Sequence, residues 1–85
     1  MEINQIRLEI DKVDNELFNA VRKRFELAKK IGREKHANNL KVKDVKREEQ
    51  LIAKLIQKNK SINPIFITEL YDLIISESRK IQGAA

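Results

Sequence analysis

Seven polar residues fall on or beside apolar stripes with helical spacing, where a charge costs stability unless something pairs with it. Arg24 occupies the position between Ala20 and Leu27 at which the pattern calls for an apolar side chain. Arg7 and Lys35 flank the same stripe. Glu48 lies three residues after Val45 and four before Ile52, with Asp44 one turn earlier. Ser78 and Gln82 are four apart and share a helical face. Three basic groups, two acids and two neutral hydrogen-bonders could converge on one polar cavity that holds an anion. Arginine suits the planar, bidentate match of a carboxylate or phosphate, and an acid beside it suits a hydroxyl donor. The set contains no activated nucleophile, since the chain has no cysteine, the set has no histidine, and no triad is present. No metal-ligand spacing is visible, and a single histidine argues against a zinc site. An enzyme built from these groups would hold and polarise its substrate without bonding to it.

Each residue also has a plainer reading. Arg24 could pair with Glu48 in a structural salt bridge. Ser78 could bond back to its own helix. Gln82 near a C-terminus could be solvated, and Arg7 could be an ordinary surface residue. One distance bears on Arg7. It lies seventeen residues before Arg24, roughly 26 Å along a straight helix. Both cannot serve one small ligand from one chain, so Arg7 would have to come from a partner whose first helix runs antiparallel.

The elements that position these groups are three helices. Ile3, Ile6, Ile10, Val13, Leu17, Ala20, Leu27 and Ile31 recur in steps that define one seam, and no proline interrupts the stretch from Ile3 towards Lys35. Such a helix, over about 3–35, is about 50 Å long. A compact chain of this length is a globule only roughly 30 Å across. The seam therefore needs cover from elsewhere, and a second copy is the simplest source. Gly32 leaves two options open: a C-cap that ends the helix near Ile31, or a tolerated interior glycine. His36 to Lys43 reads as a polar loop with His36 exposed, and Asp44 as an N-cap or first-turn acid. A second helix follows over about 44–59, a turn over Lys58 to Asn63, and a third helix over about 64–82 that opens on Asn63-Pro64. Gly83-Ala84-Ala85 reads as a frayed end.

The whole chain sets the limits. Its 85 residues make one small all-α domain over 1–85, with two glycines, one proline and no period-two run. Lacking cysteine, it can form no disulfide. No stretch is apolar enough to span a membrane and no signal peptide is visible, so a soluble, cytoplasmic protein is expected. The 18 basic and 13 acidic residues give a net charge of +5. That favours anionic partners without choosing among them. The four aromatic residues, Phe18, Phe25, Phe66 and Tyr71, are not interleaved with a basic cluster as a base-stacking platform would need.

The stretches IRLEIDKVDNELFNAVRKRFELAKKIGREK, VKDVKREEQLI and LIISESRKIQ together resemble the all-helical chorismate mutases, the AroQ class, over about Ile3 to Gln82. The D-x-x-R-E run that opens the second helix is the most specific part. The resemblance implies an intertwined homodimeric helical bundle, a first helix continuous through Gly32, and conversion of chorismate to prephenate without cofactor or metal. It implies that the partner's Arg7 and this chain's Arg24 bind the two substrate carboxylates. Lys35 would bond the ether oxygen and a carboxylate, and Gln82 the ether oxygen from the opposite side. Asp44, by its backbone N–H, and Glu48, by its side chain, would hold the ring hydroxyl. Ser78 would contact a carboxylate, and Arg47 would support the acids and the site charge. Lys35, Gln82, Arg24 and Glu48 would be the catalytic set. Two departures stand out: the loop HANNLKVK lacks the proline often found before the D-x-x-R-E run, and the chain stops shortly after Gln82.

Two other readings compete. An isochorismate-pyruvate lyase would share the arginine clamps and the lysine, but Glu48 and the D-x-x-R-E run match the mutase pattern better. A non-enzymatic basic dimer that binds nucleic acid or a helix would depend on the outer lysines more than on Arg24 or Glu48. The expected partners are therefore chorismate and a second copy of the chain, with no nucleic acid, membrane or metal.

Overall fold

A computed structural model describes residues 2–85 and shows three α-helices, with no strand among the described residues. α1 spans Ile3–Ala37 without a break, so Gly32 is interior to the helix and does not cap it. The helix ends two residues later than the sequence reading placed it. His36 and Ala37 belong to its last turn, not to the loop. Asn38 closes it: both its backbone N–H and its side-chain amide donate to the Glu34 carbonyl, at 3.1 and 2.8 Å. Asn39 then turns the chain at φ 55°, a left-handed conformation that asparagine tolerates better than most residues.

α2, Val45–Lys58, starts where an N-cap is expected: the Asp44 carboxylate accepts from the Arg47 backbone N–H at 3.1 Å. Asn59 ends it, with its side-chain amide donating to the Leu55 carbonyl at 2.9 Å. α3, Pro64–Ala84, opens on Asn63, whose side chain accepts from Ile65 N at 2.9 Å, with proline in the first turn. It runs through Gly83 to Ala84 with Ala85 as its C-cap, so of the segment read as frayed Gly83 and Ala84 are helical. The last turn of α3 lies against α1 beside Gly32.

α3 is the central element. It packs along α1 and against α2, whereas the described residues of α1 and α2 make no close backbone approach to each other. The gap between α1 and α2, floored by α3, is the cleft described below. The buried apolar residues, Ala28, Ile67 and Ile75, lie on or against α3. The N-terminal half of α1 is bare, with Ile3, Ile6, Ile10, Val13 and Leu17 between 41% and 65% exposed. The chain measures 55 × 24 × 16 Å, and its radius of gyration is 16.0 Å, against roughly 12 Å for a compact chain of this length.

Candidate active site

All three helices and the loop between α1 and α2 contribute to one cleft of about 440 Å³, a size suited to a small metabolite. Arg24, Lys35, Asp44, Arg47, Glu48, Ser78 and Gln82, all singled out from sequence, line it together with Arg79. Leu27, Ala28, Ile31, Leu51 and Ile75 supply apolar wall.

Arg24 is half-buried and turns from the α1 seam towards α3. Its Nη1 donates to the Ser78 hydroxyl at 2.7 Å, and its guanidinium carbon stands 5.6 Å from the Tyr71 ring centroid, within cation–π range. The Arg24–Glu48 pair weighed from sequence is not formed. Ser78, which is buried, donates to the Ile74 carbonyl at 2.8 Å while accepting from Arg24. The expected back-bond is therefore made, and the same hydroxyl also fixes Arg24. A hydroxyl has one proton, so Ser78 could donate to a ligand only by releasing Ile74.

Glu48 instead pairs with Arg79. Arg79 Nε donates to Oε2 at 2.9 Å and Nη2 to Oε1, a two-point grip between α3 and α2. These hydrogen bonds hold the Glu48 carboxyl below its ordinary value of 4.5, while partial burial opposes them; the Arg79 charge, the Asp44 backbone and Lys43 add to the lowering. Arg79 is raised in turn, first by the same hydrogen bond. The sequence reading missed Arg79. The available signal was that Glu48 sits on an apolar stripe and needs a cation, and Arg79 is the one arginine of α3.

Lys35 Nζ donates to the Val42 carbonyl at 2.7 Å and to Gln82 Oε1 at 2.8 Å. An ammonium only donates, so the Gln82 oxygen faces it, leaving the amide NH₂ and the third Lys35 proton available to a ligand. The two groups meet at the end of the cleft. An oxygen lodged between them would receive a hydrogen bond from each side once the Gln82 amide turns to present its NH₂ in place of Oε1. Gln82 is half-buried and engaged, contrary to its plain solvated reading. Asp44 spends a carboxylate oxygen on its cap, and Arg47 lies exposed at the rim. Arg7 is exposed and does not line the cleft; its seventeen-residue distance from Arg24 keeps it out of the site of its own chain. His36, read as an exposed loop residue, is exposed but lies in the last turn of α1, with Nε2 3.2 Å from the Gln82 carbonyl.

Four cationic and two acidic side chains line the cleft, so it carries a positive field. Ser78, the hydroxyl most deeply set in it, has no base beside it. Among the described residues, no group of histidine, cysteine and acid residues could hold a metal ion, and no helix is long and apolar enough to cross a membrane. The arrangement can bind an anion at several points and, with the Gln82 amide turned about, present two converging donors to one oxygen.

A family model described as chorismate mutase type II matches residues 6–83. A bifunctional chorismate mutase/prephenate dehydratase of Buchnera aphidicola subsp. Schizaphis graminum (strain Sg) is 34% identical over 79 residues, covering 91% of this chain and 20% of the relative. Proteins of the same description are 34% identical over 61 residues in Aquifex aeolicus (strain VF5), covering 72% of the chain and 17% of the relative, and 33% identical over 81 residues in Escherichia coli (strain K12), covering 93% and 21%. The chain thus spans about a fifth of the length of the curated relatives it matches.

Proposed function

The chain belongs to the chorismate mutase type II family, and we propose that it rearranges chorismate to prephenate in the cleft between α1 and α2. The observation that carries this reading is the convergence of seven polar residues, drawn from three helices and a loop, on one positively charged cleft. The reaction is unimolecular. A C–O bond of the enolpyruvyl ether breaks as a C–C bond forms within the same molecule, and no proton, electron or cofactor is exchanged. The flexible dianion must first be folded into a compact chair-like shape, and clamping both of its carboxylates does this.

Arg24, oriented by Ser78 and Tyr71, is assigned to one carboxylate. The ring hydroxyl is assigned to Glu48, whose ionised form Arg79 maintains, and to the Asp44 backbone N–H. Arg47 supports the charge at the rim. As the ether bond lengthens, negative charge grows on its oxygen. Lys35 and Gln82 already meet; with the amide turned so that its NH₂ replaces Oε1, an oxygen between them would be held more tightly in the transition state than in the ground state.

The second carboxylate needs Arg7, and Arg7 must come from a second copy of the chain with α1 antiparallel. The bare half of α1 supports this: burying Ile3, Ile6, Ile10, Val13 and Leu17 against a partner stabilises by on the order of 1–2 kcal/mol each.

The test is to mix the pure protein with chorismate and follow its loss against prephenate. Stoichiometric prephenate supports the reading. Chorismate left intact, or pyruvate released from isochorismate without mutase turnover, would overturn it.

A further inference from the structure

We propose that Gly32 and His36 form a seat on α1 for the Gln82 backbone and so set the reach of the Gln82 amide into the cleft; this rests on the mutase reading above. Gly32 is buried inside a 35-residue helix, about a turn and a half before its C-terminal end, where glycine weakens the helix relative to alanine. Its conformational freedom is not what is used, since no glycine among the described residues has positive φ. Close approach is what it permits. A Cβ at Gly32 would lie 2.6 Å from the Gln82 carbonyl oxygen, 2.7 Å from the Gln82 Cα and 2.9 Å from the Ala85 Cβ. The first two are backbone atoms that no rotamer change can move aside.

One turn later on the same face, His36 Nε2 stands 3.2 Å from that same carbonyl oxygen. A carbonyl only accepts, so the Nε2–H tautomer donates here. Gly32 lets the last turn of α3 close onto α1, and His36 ties it there. Lys35, between them in sequence, meets the Gln82 side chain at 2.8 Å. Any side chain at position 32 would push the α3 backbone outward and carry the amide away from Lys35. Both residues act through Gln82 and touch no substrate; they are positioning residues.

The proposal is tested by a double-mutant cycle read in steady-state kinetics and by the side-chain amide resonances of Gln82 in a ¹⁵N spectrum. Gly32→Ala should lower kcat between about tenfold and a hundredfold, with KM changed less, because the lost contact is made in the transition state. In a Gln82→Ala background the same substitution should cost less than about twofold more, since there is no amide left to misplace. The Gln82 NH₂ resonances should move in Gly32→Ala. Full kcat in Gly32→Ala, additive losses in the cycle, or unmoved Gln82 resonances would each overturn the seat. If Gly32→Ala does not fold, His36→Ala takes its place, with a loss of about two- to threefold in kcat that vanishes in the Gln82→Ala background; no effect there sinks the proposal. Wild-type protein that leaves chorismate unchanged defeats the mutase reading instead, and the resonances, which need no turnover, still decide the seat.

Discussion

Arg79 shows how a charge on an apolar stripe acquires its meaning from a partner on another helix. Its grip on Glu48 lowers the carboxyl's pKa, so this pair contributes stability that is present above the ordinary carboxyl value and is lost as pH falls through the lowered one. Arg79→Gln should therefore raise the Glu48 pKa, move the acidic limb of kcat/KM to higher pH, and lower Tm at neutral pH. The difference in Tm should shrink in acid, where Glu48 is protonated in both proteins. Parallel pH–rate profiles and melts at several pH values would check it, and an acidic limb that stays in place would contradict it. Lys35 carries the other large effect at this scale. Lys35→Ala removes a charged donor from the growing oxyanion and should reduce kcat by about 10²–10³-fold, or roughly 3–4 kcal/mol, as measured by prephenate formation at saturating chorismate. Of the residues that line the cleft, Arg79, Val42, Ala28 and Ile75 had not been placed on a periodic stripe, and Arg47 was expected only from the family resemblance. The pairings were not. Arg24 to Ser78 and Arg79 to Glu48 bridge 54 and 31 residues of sequence, and helical period says which face a residue occupies but not which helix it meets.

Helix ends were legible to within a few residues because capping chemistry is local. Asp44 and Asn63-Pro64 announce the starts of α2 and α3, and both caps form. The end of α1 was less legible: Gly32 resembles a stop signal, and only the approach of α3 explains its place inside the helix. The two N-caps allow a matched comparison. Asp44→Ala and Asn63→Ala should each destabilise by about 1 kcal/mol, a drop of about 4–8 °C in Tm for a domain of this size. Their effects on catalysis should differ. The first turn of α2 carries Arg47 and Glu48 into the cleft, whereas the first turn of α3 lies away from it. Asp44→Ala should thus lower kcat/KM beyond what its Tm explains, and Asn63→Ala should leave kcat/KM near wild type when assayed well below its Tm. Equal kinetic losses in the two variants would mean that the α2 cap serves folding alone.

At the scale of the molecule, the length of α1 against the small size of the chain is what supports the proposed dimer. A helix that accounts for a 55 Å long axis cannot be covered by two helices of 14 and 21 residues, and the exposed seam at Ile3, Ile6, Ile10, Val13 and Leu17 is the uncovered part. The uncovered seam could be read from its length alone, but what covers it could not, because a periodic seam fits many registers. If the partner's α1 runs antiparallel, its Arg7 reaches the cleft that holds Arg24, and each site is built from two chains. This arrangement has a consequence that no monomeric site shares. Arg7→Ala and Arg24→Ala should each be nearly inactive as homodimers. A mixed dimer has one site that lacks both arginines and one that keeps both, the latter pairing Arg24 of the first variant with Arg7 of the second. Unfolding and refolding an equimolar mixture should therefore restore about a quarter of wild-type activity, since half of the dimers are mixed and each carries one intact site of two. Sedimentation of the wild type should give about twice 10.0 kDa. Activity in the mixture no greater than the average of the two variants would place Arg7 outside the site and leave α1 as an interface without a catalytic role.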